Sequence, residues 1–190
     1  MIKYYAIPKV WFSVLLYFAI IELVIIFTKP SLFLDWNFIL TRVIFVFAFT
    51  FSVIIKRKIS KNFFQLLQNI LVFALMTFLY KETAMLNTLI FPKIDEFLSN
   101  LDQNIFKFQP SIEFSKHFNS LFFSELFYFG YFCYYLLPLV VLGILYKFLP
   151  QKIEEFGFIL ITSFLLYYFI FIIIPAEGPQ FYFPFPDIYI

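Results

Sequence analysis

The sequence has little of what soluble enzymes use for chemistry. Its 190 residues include one cysteine, one histidine and four glycines. The single cysteine, Cys133, excludes a disulfide within the chain, and the single histidine, His117, excludes a His-rich metal site. Neither a GxxxxGK nor a GxGxxG phosphate-binding loop is present. The sequence therefore implies no cofactor and no metal centre.

Charged residues are scarce as well. They make up 14% of the chain, whereas hydrophobic residues make up 63% and Phe alone fills 33 positions. Soluble domains average about 25% charged and about 45–50% apolar residues, and a chain of this size cannot hide so much apolar surface in a water-soluble core. A soluble enzyme, a disordered tail and a nucleic-acid binder are thereby disfavoured. The sequence predicts a membrane protein whose partners are lipids.

The hydrophobic residues form five long runs. A helix needs roughly 20 mostly apolar residues to span a bilayer, and five segments meet this length: 10–27, 36–55, 63–80, 121–148 and 156–174. They predict an all-α polytopic membrane helix bundle that forms a single domain over residues 1–190. Pro138 falls inside the fourth run and is expected to kink it.

The charged residues at the ends of these runs predict the orientation. One side of a five-span zigzag carries eight basic residues against two acids, Glu154 and Glu155; the basic residues are Lys3, Lys9, Lys56, Arg57, Lys58, Lys61, Lys147 and Lys152. The other side is mainly acidic. Because Lys and Arg accumulate in cytoplasmic loops, we expect a cell-membrane protein with its N-terminus in the cytoplasm and its C-terminus outside.

Residues 84–120 separate the third and fourth runs and are predicted to be external. After Pro92, apolar residues recur at helical spacing, with acidic and amide residues on the other face; the apolar positions are Ile94, Phe97, Leu98, Leu101 and Ile105. A second short helical stretch covers 111–118. Two interpretations stay open: a cap packed on the bundle, or an amphipathic segment in the outer membrane interface that gives lipids access.

Ionisable residues within the spans are costly and mark paired or functional groups. Glu22 and Arg42 lie at matching depths on consecutive antiparallel runs, which predicts a structural ion pair. In the alternative interpretation Arg42 belongs to a pocket for an anionic headgroup, together with Glu125 and Tyr128 on the fourth run. Tyr131 and Tyr135 share the helical face of Tyr128. His117 has only Glu113 as a nearby carboxylate and is interpreted as an exposed histidine.

The fifth run is followed by Pro175-Ala176-Glu177-Gly178-Pro179-Gln180. This element resembles the type 2 phosphatidic acid phosphatase superfamily, and in particular the branch of the inositol phosphorylceramide synthases. An external helix with Asp102-Gln103, then Asn119 and a Tyr-rich fourth span, agrees with that order. The resemblance covers roughly residues 84–190. It implies phosphatase or phosphotransferase chemistry on a lipid phosphate or diphosphate at the outer membrane face, with Gly178, Pro179 and Gln180 among the substrate-binding residues.

The family's catalytic residues are not found in this sequence. In the family, one histidine attacks phosphorus and a second acts as the general acid, and both motifs follow the Gly-Pro element. Here the chain stops about ten residues later, and neither Pro-Ser-x-His nor the Ser-Arg element with its His and Asp is present. We therefore assign no catalytic residue. A longer enzyme that is C-terminally incomplete here is one explanation, and the apolar end Tyr189-Ile190 favours it. The alternative is a small non-catalytic membrane binding or scaffold protein.

Overall fold

The computed structural model describes residues 7–183, and this part of the chain is all-α. Two short 3-10 helices, Pro30–Leu34 and Pro150–Lys152, lie in its connections. The α-helices are α1 (Lys9–Thr28), α2 (Trp36–Ile55), α3 (Lys61–Leu86), α4 (Asp95–Phe106), α5 (Pro110–His117), α6 (Leu121–Phe148), α7 (Ile153–Ile173) and α8 (Pro179–Tyr182). Lys3, Tyr189 and Ile190, on which two of the predictions above rest, lie outside the described residues.

The five predicted spans are confirmed as α1, α2, α3, α6 and α7, each long and apolar enough to cross a membrane. The predicted ends of the third span are wrong: α3 continues to Leu86, so Lys81 and Glu82 belong to the helix rather than to a loop. The segment between α3 and α6 accordingly begins at Asn87 rather than at the expected residue 84. A charged residue ends an apolar run in the sequence, but it does not end a helix whose backbone hydrogen bonds can continue.

Side-chain caps define two of the helix starts. The Asp35 carboxylate accepts the backbone N–H groups of Asn37 at 2.8 Å and Phe38 at 3.3 Å at the start of α2. The Ser60 hydroxyl accepts the N–H of Phe63 at 3.4 Å at the start of α3. Both caps satisfy amides that have no partner within the first helical turn, and they make the turns before α2 and α3 short and well defined.

Helix α7 packs against α1, α3 and α6, while α2 packs on α3. The contact between α3 and α7 is close at Gly157, where a Cβ would collide with the Asn69 side chain. Asn69 donates its Nδ2 hydrogen to the carbonyl oxygen of Ile153 at 3.1 Å. Polar contacts of this kind hold membrane helices together where hydrophobic driving force is absent.

Helix α6 is the least integrated of the spans. It packs on α3 and α7, and it passes through Pro138 as one continuous helix. Only Pro138 and Leu142 are buried, so most of its 28 residues face the surroundings of the bundle. A helix with this much unpacked apolar surface is suited to contact with lipid.

Helices α4 and α5 confirm the two helical stretches predicted between the third and fourth spans. Asp95 is the single residue that α4 buries, whereas Phe97 and Ile105 on its apolar face are 65% and 62% exposed. The bundle therefore does not cover this apolar face, which favours placement in the membrane interface over a packed cap. Gln109 ties α5 to α4 by donating to the carbonyl oxygen of Ser99 at 3.0 Å.

Candidate functional site

A cluster of charged side chains joins α1, α2 and α3 near the acidic end of the bundle, the end at which α1 finishes and α2 begins. Arg42 donates from Nε to Glu22 Oε1 at 2.7 Å. The structure thus brings together the two residues that the sequence pairs. A second carboxylate, that of Glu82, accepts from Nη1 of the same guanidinium. We call Glu22, Arg42 and Glu82 the charge cluster.

Aromatic rings fix the position of the guanidinium. The Arg42 Cζ lies 3.5 Å from the centroid of the Phe38 ring and 4.8 Å from that of Phe18, distances at which a cation is attracted to the ring faces. The Glu82 residue is only 3% exposed. Arg42 is therefore held by two carboxylates and two rings, so the cluster locks three helices together.

This arrangement changes the interpretation of Arg42. Two carboxylates already accept hydrogen bonds from the one guanidinium, so its Nε and Nη1 donors are not available to an added anionic headgroup. Glu125 does not join the cluster among the ion pairs of the described residues, and it is exposed on α6. The headgroup pocket of Arg42 with Glu125 and Tyr128 stays a prediction, whereas the predicted Glu22–Arg42 ion pair is present in the structure.

The spacing of apolar residues in the sequence indicates that Glu82 faces the bundle, although the adjacent Lys81 interrupts the apolar run. Leu75, Leu79 and Leu86 are all buried along α3, and Glu82 falls on the same stripe at helical spacing. Reading the apolar periodicity past Lys81, rather than stopping at the first charge, would have placed Glu82 on the inward face.

The loop after α7 is tied to the start of α4 by one carboxylate. Asp95, 7% exposed, accepts the backbone N–H of Glu177 at 2.9 and 3.2 Å and that of Gly178 at 2.9 Å. The N–H of Ile94 donates to the carbonyl oxygen of Pro175 at 3.0 Å. Gly178 has φ +90°, a backbone conformation that favours glycine.

These contacts correct one part of the predicted substrate-binding set. The backbone N–H of Gly178, a residue of that set, already donates to Asp95. Pro179 begins the short helix α8, and Gln180 follows it with an exposed side chain. Lys93, which the sequence analysis did not single out, donates to Glu177 at 2.5 Å and remains 48% exposed. The side chains left to meet a headgroup here are those of Lys93 and Gln180.

No protein-family model, characterised protein or solved structure matches this chain.

Tyrosine side chains line the neighbouring parts of α3, α6 and α7. The hydroxyls of Tyr131 and Tyr135 are hydrogen-bonded at 2.7 Å, and the ring of Tyr80 lies 5.9 Å from that of Tyr168. Tyr128, one turn closer to the acidic end, is 72% exposed. The expected Tyr face of α6 is thus present, but Tyr128 points away from the bundle core and only Tyr131 and Tyr135 form a bonded pair.

A groove of about 300 Å³ lies between α6 and α7. It is lined almost entirely by apolar and aromatic side chains: Tyr134, Leu137, Pro138, Phe156, Ile159, Leu160, Ser163, Phe164 and Tyr167. Leu137 and Ile159 are 61% and 57% exposed, so the groove opens on the outer surface of the bundle. Its chemistry suits a hydrocarbon chain.

His117 has no carboxylate to orient it. Its Nδ1 donates to the backbone carbonyl oxygen of Glu113 at 2.8 Å, while the Glu113 carboxylate accepts from Lys116 at 2.7 Å. That hydrogen bond from the ammonium lowers the pKa of the Glu113 carboxyl. The only histidine of the chain is exposed, and among the described residues nothing near it resembles a catalytic pair.

Proposed function

We propose that this protein is a membrane-embedded lipid-phosphate phosphatase or phosphotransferase that acts at the outer membrane face, and that the residues described here position its substrate. The supporting observation is the Pro175–Gln180 element, which resembles the phosphatase superfamily and lies just after a long apolar helix. Asp95 and Gly178 hold this element in one conformation. A fixed loop beside a lipid surface is what positioning a phosphate ester requires.

The substrate would lie along α7. Its phosphate would contact Gln180 and Lys93 at the acidic end, where the Lys93 ammonium is paired with Glu177 but remains 48% exposed. Each leaflet contributes about 15 Å to the hydrocarbon core of a bilayer. An acyl chain attached to a phosphate at the acidic end would therefore reach the middle of α6 and α7. The groove between these helices begins at that depth, with Tyr134 and Pro138 near the midpoint of α6.

The proposed location is the cell membrane, with the N-terminus in the cytoplasm and the C-terminus outside. The charge distribution supports it, because the connection between α2 and α3 carries Lys56, Arg57 and Lys58. Cysteines introduced at Lys58 or Asn100 in a Cys133→Ser background test this with a membrane-impermeant reagent. In intact cells, labelling at position 100 alone fits the proposal, and labelling at position 58 alone contradicts it.

A non-catalytic lipid-binding protein is the second candidate. The observation that favours it is that two residues of the predicted substrate-binding set, Arg42 and Gly178, both donate hydrogen bonds to the chain's own carboxylates. In this case the exposed face of α6 would serve lipid contact alone.

Binding of lipids to the purified chain separates the two candidates. Native mass spectrometry would compare phosphatidic acid with diacylglycerol at equal concentration. We expect a preference for phosphatidic acid that falls at least about tenfold in Lys93→Gln, the effect of losing one charge-assisted hydrogen bond. Lys29→Gln removes an exposed cation at the same end and is the matched control. Equal binding of the two lipids would contradict the lipid-phosphate proposal and favour the second candidate.

A further inference from the structure

The opposite, basic end of the bundle contains a second cavity that the proposed function does not use. It encloses about 380 Å³ and is bounded by the starts of α1 and α3 and the end of α2. The lining residues are Ile7, Pro8, Trp11, Phe49, Ser52, Val53, Lys56, Arg57 and Phe64. We call it the basic-end cavity.

The cavity combines an apolar interior with cations at one side. Trp11 and Phe49 form a T-shaped aromatic pair with centroids 5.4 Å apart, and Phe64 adds a third ring. Lys56 and Arg57 follow the last residue of α2, and both are exposed. Lys58 continues the basic run without lining the cavity. An apolar slot next to positive charge matches an amphiphile with a hydrocarbon chain and an anionic headgroup.

A buried donor in the wall also calls for an acceptor. Trp11 is 1% exposed, and its indole N–H has no hydrogen-bond acceptor among residues 7–183. Leaving a buried hydrogen-bond donor without a partner is unfavourable, because its interaction with water is lost and not replaced. An ester or phosphate oxygen placed in this cavity supplies an acceptor, which hydrocarbon alone does not.

We propose that the basic-end cavity binds one anionic phospholipid from the adjoining membrane leaflet. Its headgroup lies against Lys56, and one acyl chain enters beside Trp11, Phe49 and Val53. Basic residues immediately next to a membrane helix attract anionic lipid, and here they adjoin a cavity that can retain a single molecule. This site lies at the end of the bundle opposite Gly178, so it is separate from the proposed substrate path.

Fluorescence quenching at Trp11 tests this directly. Trp36→Phe removes the second tryptophan, which is 72% exposed at the other end of α2. The tryptophan fluorescence then comes from Trp11 alone. The protein is reconstituted in phosphatidylcholine bilayers with a minor fraction of phosphatidylglycerol, and brominated acyl chains are carried by one lipid or the other at equal mole fraction. We expect brominated phosphatidylglycerol to quench Trp11 more strongly than brominated phosphatidylcholine does. Each cation that contacts the headgroup should raise the preference for phosphatidylglycerol about fivefold, since one basic residue contributes about 1 kcal/mol.

Paired variants identify the site. Lys56→Gln should lower the preference for phosphatidylglycerol about fivefold. Lys58→Gln also removes one positive charge, but outside the cavity, and should leave most of the preference intact. Val53→Phe narrows the cavity and should reduce quenching by brominated phosphatidylglycerol. Val46→Phe, an exposed position two turns earlier on α2, should not.

Three outcomes would overturn the proposal. Equal quenching by the two brominated lipids would mean that the cavity holds bulk lipid or the chain itself. An equal loss of the phosphatidylglycerol preference in Lys56→Gln and Lys58→Gln would mean that the basic loop attracts anionic lipid in general, without a specific site. Loss of the preference on adding inorganic phosphate at constant ionic strength would mean that the acyl chain contributes nothing.

Discussion

The Asp95 carboxylate accepts the backbone N–H of Gly178 at 2.9 Å, joining the start of α4 to the loop after α7. The same carboxylate also accepts from Glu177. We therefore expect Asp95→Asn to loosen this loop, because hydrogen bonds to a charged group contribute about 1.5–3 kcal/mol. Hydrogen exchange at the amides of Glu177 and Gly178 should become faster by at least about tenfold. Glu96→Gln, an exposed acid on the next residue, is the control, and equal exchange in both variants would rule out the contact.

The charge cluster should respond asymmetrically to mutation. Arg42→Gln leaves Glu22 and Glu82 facing each other with no cation and should cost about 3–5 kcal/mol of unfolding free energy. Glu82→Gln should cost less, because it leaves a balanced Arg42–Glu22 pair. Unfolding in detergent measures both. Lys81→Gln, an exposed charge next to Glu82, should be nearly neutral.

Combined variants test whether three residues act together. In a simple pair, Glu22→Gln with Arg42→Gln would recover most of the loss, because both charges are removed. Here that double variant still leaves the Glu82 carboxylate buried, so recovery should be incomplete until Glu82→Gln is added. Full recovery by the double variant would mean that Glu82 is independent of the cluster.

The sequence predicts the spans well because length and hydropathy decide them. It also predicts the Glu22–Arg42 contact, since the two residues lie at matching depths on consecutive helices. It does not predict the Asp95–Gly178 contact, which joins positions far apart in the chain and depends on how α4 leaves the bundle. Glu82 was missed because an adjacent lysine resembled the end of a span, although the buried stripe of α3 continues through it.

Two helical glycines provide a matched test of the packing. Gly157 on α7 lies so close to Asn69 that an added Cβ would collide with its side chain, whereas at Gly143 on α6 nothing lies within 4 Å. Gly157→Ala should therefore destabilise the protein by about 1–3 kcal/mol through overpacking. Gly143→Ala should be neutral or stabilising by up to about 1 kcal/mol, since alanine favours the helix. Unfolding in detergent checks both, and a harmless Gly157→Ala would contradict the close contact of α3 with α7.

The purified chain should hydrolyse no lipid phosphate above background. Phosphoryl transfer through a phosphohistidine needs an oriented nucleophile and a second proton donor, and this chain has only His117, whose neighbour Glu113 is engaged by Lys116. Phosphate release from phosphatidic acid in detergent measures the activity. Turnover that disappears in His117→Ala would contradict this expectation and would require a mechanism with one histidine.

The position of the lipid phosphate tests the proposed function most directly. A phosphatidic acid analogue with a photoreactive group next to its headgroup is crosslinked to the reconstituted protein, and the labelled peptides are identified. We predict labelling of the segment from Pro175 to Phe183, competed by phosphatidic acid but not by diacylglycerol. Labelling spread evenly along the spans, or competed equally by both lipids, would contradict the proposal that this end of the bundle positions a lipid phosphate.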